Sequence, residues 1–243
     1  MQGNHPQFGV DAPGLVRGFG FGGLALLIAG LYGINAHIAP ALTHPSFSIG
    51  CSLLLSCLLM LITSLLTKQL VVQRMITSLA LHGNEHVLDA GCGRGLLLLE
   101  AARQLPQGRA TGLDLWSTRD QSGNAAAVTQ RNAELAHVAD RVQIDTGDMR
   151  HMPYDDDSFD VIISSLAIHN LPTQTDREEA VREIARVLKP GGRVALLDFK
   201  NTADYARTLQ ENGVIDVQRS WPNFLMFPWV WIVRGRKDVL HSP

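Results

Sequence analysis

Residues 86–95 read HVLDAGCGRG, an apolar run of five followed by a turn with glycines at 91, 93 and 95. The run His86–Ala90 has the length and composition of a buried strand, and Gly95–Leu105 that of a helix, closed by Pro106-Gln107-Gly108. Glycine takes positive φ at little cost and lets a ligand approach the backbone. The helix beyond it presents unpaired N–H groups and the positive end of its dipole. Strand, glycine turn and helix together prepare a place for the polar end of a ligand at the carboxyl edge of a sheet. Asp114, in GLDLW (Gly112–Trp116), follows Gly95 by 19 residues and ends the next apolar run. Its two oxygens match the two hydroxyls of a ribose.

Outward from this turn the chain alternates. Strands are expected at Arg109–Leu115, Val142–Thr146, Phe159–Ser164 and Arg193–Phe199, and helices at Gly123–Val138, Thr175–Leu188 and Asn201–Asn212. Asp120, Gln121 and Asn124 are expected to cap the helix that follows them. Near-continuous apolar strands between helices predict an α/β fold, a parallel sheet covered on both faces. Val214–Gln218 and Phe227–Arg234 are too close in sequence for a crossover helix, so they are expected to close the sheet as an antiparallel hairpin.

Two cofactor classes share a glycine turn followed by an acid. A dinucleotide fingerprint asks for G-x-G-x-x-G/A, and here the sixth position is Leu96. The pattern Asp89, Gly91, Gly93, Gly95 instead resembles that of the class I S-adenosylmethionine-dependent methyltransferases. Gly147-Asp148-Met149 after the third strand, MPYDDDSFDVIISS (Met152–Ser165) and RVLKPGGRVALLDF (Arg186–Phe199) resemble further segments of that family, in its quinone and small-molecule group. The likeness covers roughly residues 84–235. It implies a Rossmann-like methyltransferase sheet, S-adenosylmethionine as cofactor and no metal. It assigns cofactor contacts to Asp89, Gly91, Cys92, Gly93, Gly95, Asp114, Leu115, Trp116, Gly147, Asp148, Met149 and Ser164. Within that set the turn holds the methionine part, Asp114 the ribose, and Asp148 with Met149 the adenine; Asp89 braces the turn and reaches the amino group through water. The plainer alternatives are a turn cap for Asp148 and an ordinary interfacial aromatic for Trp116.

Methyl transfer from a sulfonium is a displacement that needs alignment first, and a base only where the acceptor must lose a proton. His169, in SLAIHNL after the fourth strand, is the candidate catalytic base, with His151 and Tyr154 behind it. The alternative for His169 is a polar ring that lines the pocket or caps the next helix. The position after the fourth strand lacks the Pro-Pro-aromatic motif of amino-methylating DNA enzymes.

Residues 1–67 are of another kind. They hold only two charged side chains, Asp11 and Arg17, of the 44 in the chain. The stretches 18–38 and 47–67 each run 21 residues without formal charge. As helix that is about 31 Å, the thickness of a bilayer's hydrocarbon core. A transmembrane hairpin is expected, followed by a connecting helix over 68–83 and the methyltransferase-like domain over 84–243. Two alternatives compete: a cleaved signal peptide, disfavoured because the first apolar stretch is too long and a second follows, and two buried helices of a soluble protein, disfavoured because neither stretch has a polar stripe. Arg17 precedes the first span, Lys68 and Arg74 follow the second, and the loop between has no Lys or Arg. The positive-inside rule then gives a multi-pass protein of the cell membrane with its large domain facing the cytoplasm.

With 21 Lys plus Arg against 23 Asp plus Glu, no basic field speaks for nucleic acid. Three cysteines give neither a disulfide framework nor a zinc site. The function expected is a membrane-anchored methyltransferase acting on a small, lipophilic acceptor such as a quinone, lipid or hydrophobic thiol. The alternatives are a tethered enzyme for a water-soluble metabolite, an NAD-dependent oxidoreductase, or a non-catalytic cofactor-sensing scaffold.

Overall fold

The computed structural model describes residues 5–118 and 121–239. Helices α1 (Pro13–Asn35) and α2 (Pro40–Ile62) pack along one another as a hairpin. Both begin earlier than expected, because Pro13 and Pro40 each sit in a first turn, where a missing N–H costs nothing. The proline-bearing link expected over 39–46 is therefore mostly helix, and Pro45 lies inside α2. Close packing rests on small residues: a side chain at Gly30 would meet the Phe47 backbone nitrogen at 2.6 Å, and one at Gly50 the Leu27 nitrogen at 2.5 Å. The outward faces remain apolar and open, with Phe21 75 % and Leu42 69 % exposed.

At Thr63–Thr67 the helix widens to a π-type turn and runs on without a break as α3 (Lys68–Thr77). The expected connecting helix is thus the end of one rod, shorter than 68–83. Its Val71, Val72, Met75 and Ile76 are buried, and the helix packs on α4 (Leu96–Arg103).

Seven strands follow: β1 (His86–Ala90), β2 (Arg109–Asp114), β3 (Val142–Thr146), β4 (Phe159–Ser165), β5 (Leu188–Asp198), β6 (Val214–Arg219) and β7 (Trp231–Lys237). They form one sheet in the order β3-β2-β1-β4-β5-β7-β6. The first five are parallel, and β7 pairs antiparallel with both β5 and β6. β7 starts four residues later than expected, since Pro228 has no N–H for a ladder. The Pro190-Gly191-Gly192 turn is absorbed into β5 as a bulge, across which the pairing jumps from Phe159↔Leu188 to Val161↔Arg193.

The remaining helices are α5 (Ala126–Leu135), α6 (Gln174–Val187) and α7 (Thr202–Glu211). One face of the sheet is covered by α3 and α4 through Val71, Met75 and Leu98. The other is covered by α6 and α7 through Val181, Ile184 and Leu209. Helix α5 has no side-chain cap. Gln121 and Asn124 are spent elsewhere, as described below, and Asp120 lies outside the described residues.

Candidate active site

Strand order reverses between β1 and β4, and a cleft of about 260 Å³ opens there at the carboxyl ends of the strands. Its floor is the glycine turn. The N–H groups of Gly91 and Cys92 both donate to the Leu113 carbonyl, at 2.8 and 3.1 Å, which ties the turn to β2. Gly91 and Gly93 have φ of +79° and +51°. A side chain at 91 would collide with Ala167 and come within 3.0 Å of Met149 Cε. The absence of side chains there keeps the cleft open. Gly95 lies just off the lining and starts α4. The Thr129 hydroxyl donates to the Gly93 carbonyl at 2.7 Å, holding the turn from the α5 side.

Asp114 faces this cleft. Its Oδ2 accepts from the Gly93 N–H at 2.8 Å, and its Oδ1 from the Trp116 N–H at 2.6 Å and Asn124 Nδ2 at 3.1 Å. A carboxylate has about four acceptor positions, so about one is left for an incoming hydroxyl. Asn124 supplies the complement. Its Oδ1 is buried without a partner, and the residue lines the cleft. A diol entering here meets acceptors on both side chains. Sequence reasoning assigned Asn124 to a cap because no spacing ties it to Asp114; the loop after β2 alone brings them together.

Asp89, on β1, is 1 % exposed and lines the cleft, and neither carboxylate oxygen has a well-formed hydrogen bond, the Leu98 N–H offering only a weak one. Burial, with Asp114 adding repulsion, pushes its pKa up to about 8. An orphaned buried acid calls for a donor from outside the protein, and an ammonium would serve. Cys92 beside it is buried, and burial holds the thiol protonated, so it packs rather than reacts.

The far wall carries Gly147, Asp148 and Met149. Arg150 grips Asp148, Nη2 to Oδ2 at 2.6 Å, and reaches Asp176 with its other arm, also at 2.6 Å. This guanidinium holds the Asp148 carboxyl below its usual range. Leu115 lines the rim, whereas Trp116 turns away, its Nε1 donating to the Thr146 hydroxyl at 2.8 Å. Ser164 lies beneath the site and donates to the Ala90 carbonyl at 2.6 Å. Its neighbour Ser165 is the one on the wall, with a buried Oγ that has no partner. Strand alternation explains the exchange: adjacent residues face opposite ways.

His169 is set just behind the wall formed by Ala167, Asn170 and Leu171. Its Nδ1 lies 2.8 Å from Asp198 Oδ1, and its ring packs on Phe199 at 4.5 Å. Tyr154 donates to Asp145 at 2.9 Å, and His151 is exposed; neither lines the cleft.

The remaining wall comes from the hairpin. Asp11, Lys68 and Val72 all line the cleft. Lys68 Nζ bonds both oxygens of Asp11, at 2.9 and 3.0 Å. The segment before α1 crosses the mouth as a strap. Gln7 exchanges two 3.0 Å hydrogen bonds with the Asn132 amide, Gln121 Nε2 donates to the Phe8 carbonyl, and Val10 bonds Ser122. Asn132 also donates to the Arg94 carbonyl and so clamps strap and glycine turn at once.

A methyltransferase-domain family matches residues 88–196. The demethylmenaquinone methyltransferase of Lactiplantibacillus plantarum is 34 % identical over 127 residues, which are 52 % of this chain and 50 % of that one. A ubiquinone/menaquinone biosynthesis C-methyltransferase of Geotalea daltonii is 33 % identical over 117 residues, 48 % of this chain and 46 % of its own. The YcgJ protein of Bacillus subtilis shares the fold with a TM-score of 0.56 at 19 % identity, over 69 % of this chain and 97 % of that one. Residues 88–196 thus match a methyltransferase domain, and the strand–helix unit is similar in sequence and fold to S-adenosylmethionine-dependent methyltransferases of class I. This chain spans about half the length of the curated relatives it matches. The family match leaves the hairpin outside: it starts at residue 88 of this chain.

Proposed function

We propose that this chain is a membrane-anchored methyltransferase that moves a methyl group from S-adenosylmethionine to a small lipophilic acceptor of the quinone type. The observation that carries the reading is that one cleft is walled jointly by the glycine turn with Asp114 and by the base of the apolar hairpin, through Asp11, Lys68 and Val72. If the hairpin spans a bilayer, the cleft opens at the membrane surface, where an acceptor dissolved in lipid arrives without crossing water. The open apolar faces of α1 and α2 support that premise, since a soluble protein rarely leaves such surface uncovered. So does the β6–β7 connection. It exposes Trp221, Phe224 and Trp229, and its Phe227 N–H is fixed to the Thr63 hydroxyl at the end of α2 at 2.8 Å. In this topology both N-terminus and catalytic domain lie on the cytoplasmic side.

The residues of the cleft fit the cofactor. An orphaned buried carboxylate at Asp89 suits its ammonium, Asp114 and Asn124 suit the ribose hydroxyls, and the turn closes where a side chain would fill the space. S-adenosylmethionine, when bound, supplies a methyl group already activated by the sulfonium. The protein's share is then alignment and exclusion of water. A phenolic or enolic acceptor must also lose a proton, and His169 is the base proposed for it. Its Nδ1 lies 2.8 Å from Asp198 Oδ1 without a formed hydrogen bond, and Nε2 is the nitrogen proposed to accept that proton once the ring is aligned on this carboxylate.

The test is incubation of the full chain in detergent or nanodiscs with S-adenosylmethionine labelled in the methyl group and with fractionated lipid and aqueous extracts. Label is expected in a lipid-soluble, non-protein product. Label confined to the aqueous fraction would discard the lipophilic acceptor, and failure to bind S-adenosylhomocysteine would discard the transferase reading.

A further inference from the structure

The two residues that bracket the hairpin, Asp11 just before α1 and Lys68 just after α2 and its π-turn, are, among the described residues, the only charged groups that the hairpin region contributes to the cleft lining. We propose that Lys68 is the residue that binds the cofactor's α-carboxylate, and that Asp11 is the counter-ion that keeps its ammonium in place, which makes the base of the membrane hairpin part of the cofactor site. The inference rests on the transferase reading above and deepens it.

Three observations converge. First, Lys68 is a lysine held almost out of water, 6 % exposed, on a helix whose neighbours Val71 and Val72 are core residues. A buried ammonium on a ligand cleft is retained only where anions meet it. Second, its hydrogen bonds are not fully committed. Of three N–H donors, the two oxygens of Asp11 account for two, which leaves a third for the cleft. Third, Asp89 stands in the same cleft with two oxygens unpartnered, close enough to Lys68 for the two charges to interact. The amino-acid end of the cofactor is a zwitterion. An acid at 89 and an ammonium at 68 offer it the opposite signs, ammonium to Asp89 and carboxylate to Lys68. The glycine turn lies between them, where the backbone can be approached.

The position of Asp11 is built as firmly as that of Lys68. Its N–H donates to the Ser64 hydroxyl at 3.2 Å, and the residue bridges to Gln121, whose side chain in turn accepts from the Arg94 N–H of the glycine turn. Cofactor binding, strap and hairpin therefore share one set of contacts, and the tail subsite exists only while the hairpin base is docked.

The experiment is calorimetric titration of the full chain in nanodiscs with two ligands, S-adenosylhomocysteine and 5′-methylthioadenosine, which keeps the nucleoside and thioether but lacks the amino acid. For Lys68→Met, S-adenosylhomocysteine is expected to bind roughly ten- to a hundredfold more weakly, with 5′-methylthioadenosine unchanged. Lys68→Arg is expected to restore most of the loss. Equal weakening of both ligands would show that Lys68 acts through the fold, and unchanged S-adenosylhomocysteine affinity would show that it does nothing at the site; either result overturns the proposal. Failure of the wild-type chain to bind S-adenosylhomocysteine would instead sink the transferase reading itself, which the wild-type titration reports separately.

Discussion

His169 Nδ1 lies 2.8 Å from Asp198 Oδ1, and the Asp198 carboxylate is itself fixed by the N–H groups of Phe199 and His169 and by the Tyr205 hydroxyl. A buried acid with three donors on it cannot turn, so the imidazole has a fixed carboxylate behind it. The proposed base role of His169 would use this carboxylate, at the end of β5 beside the turn after β4, as its orienting residue.

His169→Ala is accordingly expected to lower kcat by roughly 10²–10⁴-fold while the affinity for S-adenosylhomocysteine changes little. Asp198→Asn, which keeps the shape but presents the wrong partner to Nδ1, should follow it with a displaced pH–rate profile. Steady-state rates paired with titration calorimetry check this. Small, equal changes in both quantities would leave His169 a structural ring.

Asp89 links stability to pH. An acid whose pKa is raised to about 8 in the folded chain, against about 4 when unfolded, keeps a proton that the unfolded state has lost. Its effect is absent below about pH 4, and the folded state loses stability as pH rises from there to about 8. Asp89→Asn should therefore melt higher than wild type, by a margin on the order of a few kcal/mol near neutrality that shrinks toward pH 5. The same change should cost cofactor affinity. Thermal denaturation of the ligand-free protein at several pH values is the measurement, and a margin constant with pH would refute the assignment. Binding of an ammonium ligand to the wild type at pH 7 should release protons, visible as calorimetric heats that vary with the buffer.

The strap depends on one amide. Asn132 bonds both the N–H and carbonyl of Gln7 and also the Arg94 carbonyl. Asn132→Ala leaves buried groups unpaired, at a cost of about 1–3 kcal/mol, and frees the N-terminal segment. Limited proteolysis should cut before α1 faster than in wild type, and S-adenosylhomocysteine should bind several-fold more weakly. Protection at the wild-type level would mean that the strap is held without it.

The loop before β7 should touch lipid. Trp221, 91 % exposed, and Trp229, 52 % exposed, belong to the loop whose Phe227 N–H is bonded to Thr63 at the end of α2. In vesicles, their fluorescence should be quenched by lipids brominated near the headgroup more than by those brominated deep in the chain. Replacing both by Ser should raise KM for a long-chain acceptor several-fold, with kcat and the KM for cofactor unchanged. Indifference to brominated lipid would remove the loop from the interface.

Much of this was legible along the chain. The glycine turn, Asp114, Gly147 to Met149 and the apolar stretches are local patterns, and strand or helix spacing alone places them at one edge of a sheet. The terminal antiparallel pair could be read because too little chain separates β6 from β7 for a crossover. Ser164 was exchanged for Ser165 because a one-residue uncertainty at a strand end reverses the face. Trp116 and Leu115 differ for a related reason: Trp116 adopts a left-handed backbone, φ +63°, and swings its ring toward Thr146.

What the order of residues determined by itself was chemistry that recurs at short range: where backbone may be approached, where an acid closes a strand, where charge vanishes for long enough to cross a bilayer. What only the folded chain decided was which distant groups share the cleft. Asn124 beside Asp114, Asp198 behind His169, and Asp11 with Lys68 facing Asp89 are pairings over separations of 10 to 78 residues that no spacing encodes. They arise because packing α3 on α4 carries the end of the hairpin to the mouth of the sheet, and burial then turns ordinary polar side chains into a site.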